Sequence, residues 1–159
     1  MSEYTATVSW QRNKDENFTD LKFSRGHEWS FDGGATVPAS SSPHVVPPPY
    51  SVAANVDPEE AFIASLSSCH MLFFLYIAAK GKFIIDEYID EAVGVMEKDA
   101  DGKIAVTKVT LRPRVTFSGD NTPTMQQLED MHHQSHEQCF IANSVKTVVS
   151  TDIIPAAAN

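Results

Sequence analysis

At 159 residues, 42% apolar and 21% charged, the chain has the composition of one globular domain and not of a disordered one. The formal charge is −9 with only 12 Lys and Arg and no basic cluster, which argues against nucleic acid and anionic lipid as partners. Met1 to Phe18 is polar, without the apolar core of a signal peptide, so the expected compartment is the cytoplasm. There a cysteine pair more often does redox or metal chemistry than structural bridging.

In chain order, Tyr4 to Trp10 alternates and predicts a strand with Ala6, Val8 and Trp10 on one face. A polar stretch, Gln11 to Asp20, follows. A second extended segment is expected through Leu21 to Phe31, stopping at the Asp32-Gly33-Gly34 turn signal. Residues 35 to 56 show no periodicity and carry five prolines with a serine run, which reads as an irregular lid or binding loop.

Asp57-Pro58-Glu59-Glu60 is a helix start, with Asp57 as cap, Pro58 in the first turn and Glu60 at the capping-box position. The helix should run to Lys80 and end at Gly81. Its body, Ala61 to Ala79, is apolar nearly all round and long enough to span a bilayer. Three serines, a histidine and capped ends favour a fully buried central helix instead.

Two long strands are expected next, Glu87 to Glu97 and Lys103 to Phe117, joined across Asp101-Gly102. Ala105, Thr107, Val109, Leu111, Val115 and Phe117 would form the buried face of a one-sided antiparallel sheet. Thr122-Pro123 and Thr124-x-x-Gln127 start a second helix, which Met125, Leu128 and Met131 carry towards Cys139. A short helical stretch, Phe140 to Lys146, and a strand, Thr147 to Ile154, close one domain over residues 1–159. The fold class is α+β, an antiparallel sheet wrapped around a long buried helix plus a second helix. Because one sheet covers only part of an all-round apolar helix, an intertwined homodimer is expected.

The chemistry rests on two cysteines 70 positions apart. Cys69 stands in mid-helix in Ser67-Ser68-Cys69-His70; a reactive thiolate needs a cation, and His70 as a sequence neighbour points about 100° away. The only arginines are Arg12, Arg25, Arg112 and Arg114. Cys139 ends a histidine-rich run in which His132, His136 and Cys139 could present metal ligands from one helical face, with Cys69 as a fourth. A third reading is a small-molecule binding domain with both cysteines buried and inert.

The Asp-Pro-Glu-Glu helix start leading to Cys69, with Cys139 before Asn143-Ser144-Val145-Lys146, resembles the OsmC/Ohr family of osmotically inducible and organic-hydroperoxide-resistance proteins. The likeness covers roughly residues 4 to 152. Phe140 stands where the family commonly has Pro, and His70 where it commonly has an apolar residue, which marks a divergent subgroup. The resemblance implies that Cys69 is the peroxidatic cysteine and Cys139 the resolving one. It further implies that Arg25 holds the thiolate and that Glu59 is its carboxylate partner. The implied cycle reduces a hydroperoxide, is recharged by an external dithiol and requires no metal or organic cofactor.

Overall fold

The computed structural model describes residues 1–156, in two compact units, the first Met1–Ala61 and the second from Phe62 onward.

In the first unit, β1 (Ala6–Ser9), β2 (His27–Phe31) and β3 (Thr36–Ala39) form an antiparallel sheet in that order. The expected strand over 21–31 is therefore confined to its last five residues. Leu21 takes a left-handed φ of 64°, and Arg25 donates its backbone N–H to Tyr50 O at 2.8 Å, so the segment before β2 bends instead of extending. The Asp32-Gly33-Gly34 turn is present, with Gly34 at φ 88°. It closes a β2–β3 hairpin inside the stretch read as wholly irregular. The rest of that stretch is pinned back onto β3. Ser40 N–H donates to Val56 O, Val56 N–H to Pro38 O, and Asn55 Nδ2 to Ala39 O.

Helix α1 (Pro58–Lys80) starts on the predicted capping box: Glu60 N–H donates to Asp57 Oδ1 at 2.8 Å and Asp57 N–H to Glu60 Oε2 at 3.1 Å. It ends in a Schellman motif, Phe83 N–H to Ala78 O and Lys82 N–H to Ala79 O. The left-handed residue there is Lys82, φ 63°, one position beyond the glycine expected to close the helix.

In the second unit, β4 (Ile84–Asp90) pairs with β7 (Pro113–Ser118), and β5 (Val93–Lys98) with β6 (Ile104–Leu111), all antiparallel. β8 (Val148–Thr151) adds to β6 in parallel, a departure from the expected all-antiparallel sheet. Each expected long strand is thus broken in two, at residues 91–92 and at Arg112. The breaks meet at Asp90, whose Oδ1 accepts from Arg112 N–H at 2.6 Å and whose Oδ2 accepts from Ser67 Oγ on α1. Pro113, with no N–H to give a ladder, begins the new strand. The Asp101-Gly102 turn forms as expected, with Gly102 at φ 76°. A bulge beside Val95 and Met96 puts Val106 among the side chains packed on Val109, so the strict alternation Ala105–Thr107–Val109 does not hold.

α2 (Met125–Gln138) starts on the Thr124–Gln127 capping box and ends with Cys139 as its C-cap. Beyond it, among the described residues, only Ala142–Ser144 is helical, a single 3-10 turn.

Two apolar clusters result. One joins Phe74 and Ala78 of α1 to Val115 and Met131; the other joins Leu66 of α1 to Val109 and Leu111. Gly94 gives the second room: a Cβ there would stand 2.4 Å from Ile63 Cδ1, so the Ile63 side chain would have to shift. The fully buried central helix needs correction for the single chain. Only the stripe Leu66, His70, Phe74 and Ala78 is buried, while Leu72 and Tyr76 are 60% and 58% exposed. A period-4 stripe is what one layer of neighbours can cover. By length and composition α1 is the one described helix able to cross a bilayer.

Candidate active site

Cys69 sits at mid-α1, half-buried, on a face that turns away from the buried stripe. It lines an apolar cavity of about 340 Å³ with Leu72, Phe73, Tyr76 and Phe140. The wall is aromatic: Phe73 and Phe140 meet edge-to-face at 5.0 Å, and Phe140 itself is 70% exposed.

Cys139 is 1% exposed at the end of α2, held by its N–H to His136 O at 3.2 Å. Its sulfur accepts from Ala142 N–H at 3.4 Å. Burial pushes the Cys139 thiol pKa up, and the Cys69 thiol lying against it pushes it further. Both cysteines are free thiols. The fold therefore brings together two sulfurs 70 positions apart, one facing an open apolar cavity and one sealed behind it.

Arg25 and Glu59 line a separate cavity of about 490 Å³ in the first unit, walled by Trp10, Phe18 and Phe23. Those three rings pack with centroids 4.6–5.8 Å apart. The Arg25 guanidinium lies 3.7 Å above the Phe23 ring and donates to the carbonyls of Leu21 (2.7 Å) and Phe23. Glu59 Oε2 is buried with no partner, so the two residues share a cavity without forming an ion pair. Ser40 and Ser41 of the proline-rich loop complete the wall. Sequence reasoning missed the aromatic lining because Phe18 falls in a stretch whose other residues are polar. A Trp and a Phe flanking an arginine at short range were the available signal.

His70 and His132 form a second polar centre, this one buried. They are 1% and 2% exposed, share a hydrogen bond at 3.0 Å between His70 Nε2 and His132 Nδ1, and lie edge to edge in nearly one plane, ring centres 5.3 Å and planes 10° apart. One face of the His132 ring lies on Phe74 at 4.2 Å. Burial lowers the His70 pKa to about 4, helped by nearby His136; burial and then His70 lower that of His132 to about 3. Both rings are neutral at pH 7. The trio His132, His136 and Cys139 weighed as metal ligands is not gathered. His132 turns to His70 and Cys139 to Cys69, and no three such ligands are grouped among the described residues.

The family model for OsmC-like proteins matches residues 52–153. A structure of an OsmC-like protein of unknown function from Vibrio cholerae is 62% identical, covers 97% of this chain and 100% of its own, and superposes with a TM-score of 0.96. An OsmC-like protein from Mycoplasma pneumoniae is similar at 12% identity, 98% and 99% coverage and a TM-score of 0.71. The organic hydroperoxide resistance protein OhrB of Bacillus subtilis is similar at 18% identity, 96% and 98% coverage and a TM-score of 0.61. At such low identity these last two speak to the fold alone. No curated protein matches the chain.

Proposed function

The chain belongs to the OsmC/Ohr family, and from that premise we propose that it is a thiol-dependent peroxidase in which Cys69 is oxidised and Cys139 resolves. The observation that carries this reading is the apposition of the two free thiols with unequal surroundings. A sealed thiol with a raised pKa is a poor first nucleophile at neutral pH; Cys69, opening on a cavity, is the one a peroxide can reach. Structural relatives named as organic hydroperoxide resistance proteins point the same way.

In the proposed cycle the Cys69 thiolate attacks the outer peroxide oxygen. The O–O bond breaks, the alkoxide takes a proton and leaves as an alcohol, and Cys69 becomes a sulfenic acid. The Cys139 sulfur then attacks the sulfenic sulfur, closing a disulfide and releasing water. An external dithiol restores both thiols by exchange, which suits a reducing compartment such as the cytoplasm. The cavity at Cys69 is lined by apolar and aromatic side chains, which favours an organic hydroperoxide over hydrogen peroxide. Arg25 and Glu59 line a different cavity from that of Cys69. Arg25 is therefore assigned to the thiolate and developing charge at Cys69 of a second copy, with Glu59, whose Oε2 is buried without a partner, as its carboxylate. The exposed Leu72, Tyr76 and Phe140 are assigned to the contact with a second copy of the chain.

One experiment tests the core of this. With a dithiol reductant, alkyl hydroperoxide should be consumed faster than hydrogen peroxide. One equivalent of peroxide without reductant should give an intramolecular disulfide about 2 Da lighter than the dithiol. Two thiols left free after treatment would end the proposal.

A further inference from the structure

We propose that His70 and His132 are positioning residues for the thiol exchange, their paired rings fixing the register of α2 on α1 so that the Cys139 sulfur meets Cys69. The inference rests on the thiol-pair reading above. The His132 ring is held by two side chains one turn apart on α1: its edge is hydrogen-bonded to His70, nearly in the same plane, and one of its faces lies on Phe74. A slide or roll of α2 must break the stack on Phe74 and the hydrogen bond to His70 together. His70 adjoins Cys69 in the chain, and His132 lies seven residues before Cys139, about two helical turns. A stiff helix passes any displacement at His132 on to its C-cap. Disulfide closure tolerates little: the Cβ atoms must come within about 3.5–4.5 Å, whereas one residue of helix slip is about 1.5 Å.

The chemistry of the seam argues for register over bulk stability. His70 Nδ1 and His132 Nε2 are both buried without a partner, a cost that leucine or phenylalanine at the same places would not carry. Apolar side chains can repack in neighbouring registers; a hydrogen-bonded ring pair fits one. Buried polar groups that select a single alignment are a known use of such costs.

The test equilibrates the full chain with reduced and oxidised glutathione at pH 7 and reads the effective concentration of the Cys69–Cys139 pair. His132→Ala should lower it at least tenfold. Val115→Ala, in the same apolar cluster as Phe74 but outside the ring stack, should leave it within twofold although the fold is weakened. A loss in His132→Ala no larger than in Val115→Ala overturns the inference. Should His132→Ala not fold, the wild type still decides. By reciprocity of coupling, closing the disulfide should slow amide exchange across residues 131–135 at least tenfold, and unchanged protection overturns the idea. A wild type that forms no intramolecular disulfide would instead remove the thiol-pair reading beneath it.

Discussion

The two faces of α1 differ in a way that inverts the usual expectation. Towards the sheets and α2 the helix buries Leu66, Phe74 and Ala78 together with a histidine, while the face beside Cys69 exposes Leu72 and Tyr76. The polar ring is sealed and the apolar side chains are open. Burial here follows partners, since His70 has His132 to bond and the His132 ring in turn lies on Phe74. Leu72 and Tyr76 line the edge of a cavity and stay largely exposed. A sealed face that tolerates a histidine because it is paired holds the fold, and an open face that keeps its apolar surface is the one proposed above to meet substrate and a second chain.

The sharpest way to break the comparison is on the open face. Cys69→Ser should reduce peroxide consumption to the buffer background without moving the unfolding midpoint, since Ser is nearly isosteric and only the nucleophile is lost. Activity that survives the substitution would separate the open face from the chemistry.

On the sealed face the expected effect is on stability. Phe74→Ala removes a fully buried ring and should cost about 3–5 kcal/mol in denaturant unfolding. Leu72→Asp should instead leave the single chain folded and disrupt assembly. Light scattering on the wild type is expected at about 35 kDa, twice the 17.5 kDa chain, and on the variant at the monomer mass. A wild type that is a monomer at micromolar concentration would remove the second copy from the account.

Acid tests the sealed face without a mutation. The unfolded chain binds protons at His70 and His132 below pH 6.5, whereas the folded chain resists until about pH 4 and about pH 3. The folded pKa values are depressed, so their full contribution is present above pH 6.5 and is lost progressively as pH falls from there towards 3. Unfolding midpoints should therefore drop steeply below pH 6, and His70→Phe with His132→Phe should flatten that part of the profile. An unchanged profile in the double variant would mean that carboxylates elsewhere set the acid limit.

The smallest expected effect lies outside α1. Arg25→Ala should slow peroxide consumption by about 10- to 100-fold, about 1.4–2.7 kcal/mol of barrier, with little loss of stability because the guanidinium bonds only to nearby carbonyls. Equal losses from Arg112→Ala or Arg114→Ala alone would show that the cation was wrongly chosen.

Local signals were legible in the residues themselves. Asp57 and Glu60 mark one helix start and Thr124 and Gln127 another because a capping box involves side chains three positions apart. The Asp32-Gly33-Gly34 and Asp101-Gly102 turns were readable for the same reason, since a positive φ selects glycine whatever surrounds it. Strand breaks were not readable: Asp90 ends two strands by accepting from Arg112 N–H and Ser67 Oγ, groups more than twenty positions away on either side. The parallel pairing of β8 with β6 was equally hidden, because alternation reports a face and not a neighbour.

The site divides along the same line. Sequence by itself determined the fold class, the family and the two cysteines, because helix caps, periodicity and residue type are local properties. Only tertiary structure decided that Cys139 is sealed while Cys69 opens on an apolar cavity, and that His70 turns from its neighbour Cys69 to a ring 62 positions on. Burial and pairing depend on which distant groups pack together, and a thiol's pKa or an imidazole's protonation follows from that packing.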